Sequence, residues 1–321
     1  MKLQILNLLS AAPGFCSGEM ISQTLGISRA AVCKNIQSLK KLGYQIEAVT
    51  NKGYRLIAET EALSEISVLH GLKTKWIGQH VFYQAETVST NLDAKNHPDA
   101  PDGSLFLADR QTGGRGRLGR SWSAPSGCGI WASLLLMPEI TPESVSVITL
   151  VAGLSMAKVL KGMKLPVKIK WPNDMILNQK KICGILTEMS AEMDRVNYVV
   201  LGIGINVNTP SFPEELSEKA ASLFSETGKR YSRLSLLRAF LVQFELDYER
   251  FLRDGFSVFL EEYQALSATI GQTVRVVSSA GEYTAKAIGI STDGSLLAED
   301  DGKPITIRSG EVSVRGLLGY V

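Results

Sequence analysis

Cysteine and histidine are scarce in this chain of 321 residues, which contains four cysteines and three histidines. The cysteines lie far apart, at positions 16, 33, 128 and 183, and no two of them form a Cys-x-x-Cys pair. This spacing argues against a zinc site or a disulfide-rich scaffold and predicts reduced thiols in a cytoplasmic protein. His70, His80 and His97 lack the spacing of metal ligands, and we assign no histidine a catalytic role.

Long apolar segments are also missing. The longest apolar run, residues 130–137, is interrupted by Ser133 and is too short to cross a bilayer, so we interpret it as a buried strand and expect no membrane partner. Leucines in the first nine residues have helical spacing and are mixed with Gln4 and Asn7, which favours an amphipathic helix over a signal peptide.

Charge is nearly balanced over the whole chain, with 34 lysines and arginines against 32 acidic residues. Residues 1–60 depart from this balance, because they carry seven lysines or arginines and three glutamates. The apolar fraction of 45% is ordinary for a globular protein, and the length allows two or three domains.

Residues 111–122, with the sequence QTGGRGRLGRSW, alternate glycines with arginines between two predicted strands. Glycines let the backbone approach a ligand closely, and guanidinium groups match the oxygens of phosphate or carboxylate. We therefore expect a mobile loop that closes over an anion as a lid. The loop also fits the dinucleotide pattern G-x-G-x-x-G, but turn residues follow it instead of a helix, which weakens that interpretation. A flexible basic loop without any ligand is the remaining alternative.

The first sixty residues have the pattern of a winged helix-turn-helix. A helix near residues 3–10 precedes a second helix, a turn at Gly26 and a third helix with Ser28 as its N-cap. Two strand-like segments then flank a turn at residues 50–53. The third helix and this turn carry groups suited to bases and phosphates: Arg29, Lys34, Gln37 and Lys52. Such units also dock proteins, but the basic residues favour DNA binding.

Three other clusters accompany predicted strands in the middle of the chain. Ser89, Thr90 and Asn91 precede a helical stretch, so they either cap that helix or contact a neutral ligand. Lys181 starts an apolar strand in which Gly184 leaves room for a ligand, although an edge lysine that reaches solvent is the ordinary explanation. Residues 202–206, GIGIN, combine two glycines with an amide and suggest another wall of a ligand site.

The pattern changes again from residue 270 onward, where short strands alternate with turn residues and predict a small β-barrel. We therefore divide the chain into three expected domains. They are a DNA-binding domain, residues 1–62, a central domain, residues 63–268, and a C-terminal domain, residues 269–321.

Four motifs in series are similar to those of the biotin protein ligases: GRGRLGR at 114–120, KWPND at 170–174, KICGIL at 181–186 and GIGIN at 202–206. With the winged helix in front, the whole chain resembles the bacterial proteins that combine a biotin protein ligase with the repressor of the biotin operon. The resemblance implies a multi-domain α+β protein with a winged helix-turn-helix, a central α/β ligase domain with a mixed sheet, and a small SH3-like β-barrel.

An activity follows from the same resemblance. It implies an AMP-forming carbon–nitrogen ligase, a biotin–[acetyl-CoA-carboxylase] ligase. Biotin and ATP would give biotinyl-5′-adenylate and pyrophosphate, and a lysine of an acceptor protein would then take the biotin. No covalent enzyme intermediate is needed, so catalysis would come from positioning two anions and stabilising the charge that develops at phosphorus.

The resemblance also implies roles for particular residues. The catalytic residues would be Lys181, Arg117 and Arg115. Biotin would be bound by Ser89, Thr90, Asn91, Gln111, Gly114, Arg115, Arg117, Trp122, Lys181 and Gly184. ATP would be bound by Arg115, Arg117, Arg120, Asn173, Asp174 and Asn206. Mg²⁺ would accompany ATP, with Asp174 as its protein ligand.

The implied partners are a biotin carboxyl carrier protein, biotin operator DNA and a second copy of the chain, in a homodimer that forms when the adenylate binds. Two alternatives stay open. Lipoate and octanoate ligases share the central fold, although the arginine-rich loop and KWPND favour biotin. The second alternative is a repressor that senses biotin without turnover. The presence of Arg115, Arg117 and Lys181 argues against this alternative.

Overall fold

The computed structural model describes residues 1–278, 281–309 and 313–316. It divides into two compact units, of which the first comprises Met1–Lys73 with Ser232–Leu234 and the second holds most of the chain from Thr74 onward. A mixed sheet and an antiparallel sheet lie in the second unit, in agreement with the predicted α+β class. The domain boundaries at residues 62 and 268 stay predictions, and residues 317–321 of the expected last domain lie outside the described residues.

The first unit begins with the predicted winged helix-turn-helix. Its elements are the helices α1 Lys2–Ala11, α2 Gly18–Leu25 and α3 Arg29–Lys41 and the strands β1 Gln45–Val49 and β2 Gly53–Ala58. Ser17 and Ser28 cap α2 and α3, because each hydroxyl accepts a hydrogen bond from the backbone amide three residues later. Gly26 ends α2 with a φ of 65°, a left-handed conformation that costs glycine little.

A small apolar core holds these elements together. The side chains that α1, α2 and α3 bury include Ile5, Leu6, Ile21, Val32 and Leu39. β1 and β2 pair in antiparallel register, and their turn contains Asn51 with a φ of 65° followed by the exposed Lys52. The helix α4, Glu65–Leu69, also belongs to the first unit and begins at a capping box formed by Ser64 and Ser67.

A seven-stranded mixed sheet with the order β3-β4-β5-β9-β8-β7-β6 organises the second unit. Its strands are β3 Val81–Thr87, β4 Ser104–Gln111, β5 Gly129–Leu136, β6 Lys168–Lys170, β7 Asp174–Leu177, β8 Lys180–Ala191 and β9 Val196–Asn206. Among these strands β3 and β4 are parallel, and the other neighbours pair antiparallel. Every residue of β5 is buried, as expected for a strand with a nearly continuous apolar sequence.

Helices accompany this sheet. They are α5 Thr90–Lys95, α6 Val145–Gly162, α7 Glu214–Ser217, α8 Leu223–Thr227, α9 Arg233–Asp254 and α10 Leu260–Leu266. Among the described residues, the segment Pro142–Gly162 is the one helix long and apolar enough to cross a membrane. However, 67% of its most apolar 18-residue stretch is buried inside the protein, and α6 packs on β8, so it is a core helix.

The C-terminal part of the second unit is a five-stranded antiparallel sheet with the order β13-β12-β11-β10-β14. Its strands are β10 Thr273–Ser278, β11 Gly281–Ile290, β12 Leu296–Asp300, β13 Lys303–Ile307 and β14 Ser313–Gly316. Trp171 joins this sheet to the central one. Its indole N–H donates to the carbonyl of Gly294 at 3.0 Å, and its backbone N–H donates to Oγ1 of Thr269 at 3.0 Å. The C-terminal sheet is thereby anchored beside the KWPND segment.

Candidate functional site

A cavity of about 530 Å³ opens where the central sheet meets the glycine-arginine loop, residues 112–128. β4 and β5 flank this loop, while the turn between β6 and β7 and the strands β8 and β9 supply the other walls. The volume suits a small organic substrate. Most of the site residues expected from the sequence line this cavity: Ser89, Thr90, Asn91, Gln111, Arg115, Arg117, Arg120, Trp122, Asn173, Asp174, Lys181 and Gly184.

Two of the expected residues, Gly114 and Asn206, do not line the cavity. Gly114 is buried, and a Cβ added there would lie 2.6 Å from the backbone oxygen of Trp122. Asn206 is 4% exposed, and its amide donates to the carbonyl of Ala221 at 3.1 Å. In this structure Gly114 allows the loop to fold tightly, and Asn206 holds the segment that follows β9.

One side of the cavity is neutral and polar, and we call it the neutral wall: Ser89, Thr90, Asn91 and Gln111. Ser89 occupies the N-cap position of α5, but its side chain makes no capping hydrogen bond. Gln111 of β4 performs that task instead, because its Oε1 accepts from the backbone N–H of Thr90 at 2.8 Å and from the Thr90 hydroxyl at 3.1 Å. This arrangement leaves the Ser89 hydroxyl and the Gln111 amino group available to a ligand.

Asn91 is held from behind by two groups that sequence analysis missed. Its Nδ2 donates to Oε2 of Glu188 at 2.7 Å, and its Oδ1 accepts from the hydroxyl of Ser133 at 2.6 Å. The same Ser133 oxygen lies 2.7 Å from Oγ1 of Thr90. Ser133 was visible in the sequence only as the polar interruption of the apolar run at residues 130–137.

Glycines of β8 and β9 form the floor of the cavity. A Cβ added at Gly202 would clash with Oδ1 of Asn91, so the amide lies directly over this glycine. Added Cβ atoms at Gly204 and Gly184 would lie 2.7 Å and 3.0 Å from the indole ring of Trp122. The GIGIN motif and Gly184 therefore provide the close approach that their sequence predicted.

The opposite side of the cavity carries charge, and we call it the charged wall: Arg117, Lys170, Asp174 and Lys181. The Nζ of Lys181 lies 2.5 Å from Oδ1 of Asp174 and 5.1 Å from the centroid of the Trp122 ring. Its backbone is fixed too, because its N–H donates to the Lys219 carbonyl at 2.8 Å and its carbonyl accepts from Ala221 at 2.9 Å. The explanation of Lys181 as a solvent-reaching edge lysine is thus wrong, since its side chain is 22% exposed and faces the cavity.

Arg117 connects the glycine-arginine loop to two other parts of the second unit. Its Nη1 donates to Oδ1 of Asn173 at 3.3 Å, and its Nη2 donates to the carbonyl of Ser309 in the C-terminal part. Burial lowers the pKa of Arg117, Asp174 opposes this effect, and Arg120 adds to it. A guanidinium that is partly desolvated beside another cation is stabilised when an anion binds, which is what a phosphate site requires.

Three further cations line the cavity that sequence analysis did not select: Lys170, Lys219 and Arg275. Lys170 is 7% exposed, and a lysine in the buried strand β6 was a usable signal for it. Arg275 comes from β10, about a hundred residues along the chain from the KWPND motif, and nothing local in the sequence indicates that β10 reaches this site.

Comparison with known proteins agrees with this geometry. The model of the biotin/lipoate A/B protein ligase family matches residues 81–206, an HTH domain model matches 2–55, and the model of the biotin protein ligase C terminal domain matches 269–315. The bifunctional ligase/repressor BirA of Bacillus spizizenii is 41% identical over 305 residues, which are 93% of this chain and 94% of that protein. This chain belongs to the family of bifunctional biotin ligase/repressors.

More distant relatives agree with this assignment. The bifunctional ligase/repressor BirA of Escherichia coli is 31% identical over 317 residues, which are 98% of this chain and 97% of that protein. The solved structure of the Aquifex aeolicus biotin protein ligase in complex with biotin and ATP superposes with a TM-score of 0.65 and 31% identity, over 74% of this chain and 99% of that one. The resemblance inferred from the four motifs is confirmed.

The cavity of this ligase/repressor chain contains few groups that could hold a metal ion. Asp174 is the only carboxylate among the described residues that line it, and no described group of three His, Cys, Asp or Glu residues is arranged to hold a metal ion. The Nδ2 of Asn173 is committed to the carbonyl of Ile185 at 2.9 Å. A single carboxylate beside several cations fits a Mg²⁺ ion that arrives bound to nucleotide phosphates and takes few ligands from the protein.

The expected DNA-binding residues lie in the first unit, where Arg29, Lys34 and Gln37 are exposed on α3 and Lys52 is exposed at the turn of the wing. Arg29 lies 3.7 Å from Glu19, and both side chains are more than half exposed, so this pair is weak and leaves the arginine free to turn to DNA. A recognition helix and a basic wing tip therefore form an exposed surface of the kind that binds duplex DNA.

Proposed function

We propose that this chain is an ATP-dependent biotin protein ligase that also acts as a biotin-responsive transcriptional repressor. The observation that carries the proposal is the division of one cavity between a neutral wall and a charged wall, with Lys181 on the side that carries the cations. Biotin itself is divided in the same way, because it has a neutral cyclic urea at one end and a carboxylate at the other. The proposal extends to the boundaries of its three domains, at residues 62 and 268.

In the first step, the neutral wall binds the urea of biotin and Lys181 receives the carboxylate. A carboxylate oxygen then forms a bond to the α-phosphorus of ATP while the bond from that phosphorus to the bridging oxygen breaks, so that pyrophosphate leaves and biotinyl-5′-adenylate remains. Arg117, Arg115 and Arg120 bind the phosphates. Their charges, together with Lys181, offset the repulsion between the two anions and stabilise the charge that develops at phosphorus.

The remaining residues shape the site around these groups. Trp122 and Gly184 would complete the biotin pocket, and Gly114 would let the loop fold over it. Asn173 would support the nucleotide directly, and Asn206 would do so indirectly, by holding the segment that follows β9. Mg²⁺ would neutralise phosphate charge when it arrives with ATP, and Asp174 would be its ligand from the protein. In this role Asp174 would hold the metal instead of its present ion-pair partner, and Lys181 would contact the reacting carboxylate.

In the second step, the amine of an acceptor lysine attacks the carbonyl carbon of the adenylate, an amide bond forms and AMP leaves. Lys181 stabilises the oxyanion that develops on this carbonyl. The acceptor that fits this chemistry is a biotin carboxyl carrier protein. This assignment and a cytoplasmic location are supported by the similarity to the bifunctional ligase/repressors.

Repression would use the first unit. Arg29, Lys34 and Gln37 would contact the major groove and Lys52 a backbone phosphate of the biotin operator. A homodimer formed on adenylate binding would present two recognition helices to two half-sites. The adenylate would then be both the intermediate of ligation and the signal for repression.

The test of the ligase proposal is exchange of labelled pyrophosphate into ATP by the purified protein, with biotin, lipoate and octanoate as alternative substrates. We expect exchange with biotin and none with the other two acids. Exchange with lipoate or octanoate but not with biotin would indicate instead that the chain is a lipoate or octanoate ligase. Tight biotin binding without any exchange would favour the sensor that lacks turnover.

The repressor proposal is tested separately by binding to biotin operator DNA in the presence and absence of the adenylate, with sedimentation to follow dimerisation. We expect both DNA affinity and the dimer fraction to rise when the adenylate is present. A protein that stays monomeric and binds operator and unrelated DNA equally would contradict the repressor role while leaving the ligase role intact.

A further inference from the structure

Glu188 lies outside the cavity lining, on β8, and the ligation chemistry described above does not use it. The two-residue alternation of a strand puts it on the same face of β8 as Gly184 and Leu186, which do line the cavity. Its carboxylate lies 2.5 Å from the ammonium group of Lys95 on α5 and accepts from Nδ2 of Asn91 at 2.7 Å. Glu188 thus does not line the cavity itself but contacts the amide of Asn91, a residue of the neutral wall.

The amide of Asn91 has one orientation that satisfies its neighbours. Its nitrogen donates to Glu188 and, at 3.4 Å, to the carbonyl of Leu186, both of which can only accept. Its oxygen accepts from the Ser133 hydroxyl at 2.6 Å. Rotation of the amide by half a turn would bring its oxygen against the carboxylate and the carbonyl, so the network excludes that orientation.

The consequence for the cavity is a fixed polarity. The Oδ1 of Asn91 lies over Gly202 on the cavity floor, and a carbonyl oxygen has two lone pairs, of which Ser133 uses one. The second lone pair is an acceptor for a ligand N–H. We infer that Glu188 is a positioning residue, which fixes the Asn91 amide so that the cavity presents an acceptor oxygen instead of a donor nitrogen.

This inference rests on the proposed function, because the ligand it concerns is the cyclic urea, whose two N–H groups are donors. A donor nitrogen in place of Oδ1 would face these N–H groups with no hydrogen bond to offer. A buried donor that loses its acceptor in this way weakens binding strongly. Glu188 would therefore contribute to affinity for biotin without contacting it, and would contribute little to ATP binding or to turnover.

The test compares variants in biotin-dependent pyrophosphate exchange, with the KM for biotin, the KM for ATP and kcat measured separately. Glu188→Gln keeps the size of the side chain but offers the Asn91 amide a donor as well as an acceptor. We expect its KM for biotin to rise by about tenfold, as for a lost buried hydrogen bond, with kcat and the KM for ATP within about twofold of wild type. Glu86→Gln is the control, because it makes the same substitution in a short ion pair, to Arg110 at 2.8 Å, that is more exposed and lies outside the cavity lining.

A double variant that exchanges the acid and the amide between positions 91 and 188 distinguishes a positioning role of Glu188 from a general loss of structure. Asn91→Asp alone would bring two carboxylates together and raise the KM for biotin. In the double variant Asn91→Asp with Glu188→Gln, the glutamine amide donates to the aspartate and an oxygen again faces the cavity. We expect the double variant to recover a KM for biotin within about threefold of wild type, with a thermal unfolding midpoint near that of wild type.

Two results would overturn the inference. One is a Glu188→Gln variant whose KM for biotin equals that of Glu86→Gln, and the other is a double variant no better than Asn91→Asp alone. Both presuppose exchange by the wild-type protein. If the wild-type protein shows no exchange with biotin, the proposed function itself fails. Failure of the proposed function is thereby distinguished from failure of the inference about Glu188.

Discussion

The two walls of the cavity hold their polar groups in different ways. On the neutral wall the hydrogen bonds run between neighbours, as between Thr90 and Gln111 or between Asn91 and Ser133, and the atoms left over are few and fixed in direction. On the charged wall cations outnumber carboxylates, since Asp174 is the only acid among the described lining residues. A site built this way is shaped for the neutral end of its ligand before that ligand arrives, while the excess of cations on the charged wall favours an anion.

The largest predicted effect concerns the charged wall. Lys181→Ala removes the ammonium group beside Asp174, and we expect kcat for biotin-dependent pyrophosphate exchange to fall by about 10²- to 10³-fold, the cost of losing one preorganised group that stabilises developing charge. Lys168→Ala is the control, because Lys168 is exposed on the nearby strand β6. An exchange rate that stays within a few fold of wild type would remove Lys181 from the mechanism.

A second prediction concerns the floor beneath the neutral wall. Gly202→Ala puts a methyl group where Oδ1 of Asn91 now lies, and we expect the KM for biotin to rise by at least about tenfold and the unfolding free energy to fall by roughly 1–3 kcal/mol, as for overpacking. Gly162→Ala is the matched control, since a Cβ at Gly162 meets no atom within 4 Å. An equal effect of both substitutions on the KM for biotin would contradict the close contact between Gly202 and the Asn91 amide.

A third prediction sharpens the division of labour. Arg117→Lys keeps one positive charge but loses the forked donors that reach Asn173 and Ser309. We expect the KM for ATP to rise by about tenfold while the KM for biotin changes less, because lysine cannot replace a two-pronged guanidinium contact. Arg195→Lys, in the exposed turn between β8 and β9, serves as the control. If only the KM for biotin changed, the assignment of Arg117 to ATP binding on the charged wall would be wrong.

The smallest effect is expected at Cys183, which lies next to Gly184 in β8. Burial raises the pKa of this thiol to about 12, so it stays neutral and unreactive at pH 8. The neutral thiol stabilises the fold below its ordinary pKa near 9, and this contribution is lost as the pH rises through about 12. Iodoacetamide at pH 8, followed by mass spectrometry, should label the exposed Cys33 and leave Cys183 unmodified with full exchange activity. Labelling of both cysteines at equal rates would contradict the burial of this strand.

Sequence reasoning succeeded where function and local structure coincide. Ser17, Ser28 and Gly26 mark the ends of α2 and α3 through contacts within a few residues, so the helix-turn-helix could be predicted from local patterns. The glycine-arginine loop, Gly202 and Gly204 were recognised because so many glycines in a short segment indicate a close approach. Their partners across the cavity were not predictable in the same way.

The contacts that sequence reasoning missed depend on strand register and on long separations along the chain. Glu188 reaches Asn91 only because β8 lies beside β9, on which α5 packs, and Arg275 reaches the cavity from a separate sheet. Asn206 is the last residue of the GIGIN motif and lies two residues after Gly204. Its amide nevertheless donates to the carbonyl of Ala221 and does not line the cavity. A motif gives the residue types of a site, but the packing of the strands decides which side chains enter it.

The measurement that tests the central claim most directly is the separation of kcat from the KM for biotin in pyrophosphate exchange by wild type, Lys181→Ala and Gly202→Ala. The account predicts that Lys181→Ala mainly lowers kcat and that Gly202→Ala mainly raises the KM for biotin, since one wall stabilises the reaction and the other selects the substrate. The opposite assignment, or equal changes of both constants in both variants, would contradict the division of the cavity into two walls with separate tasks.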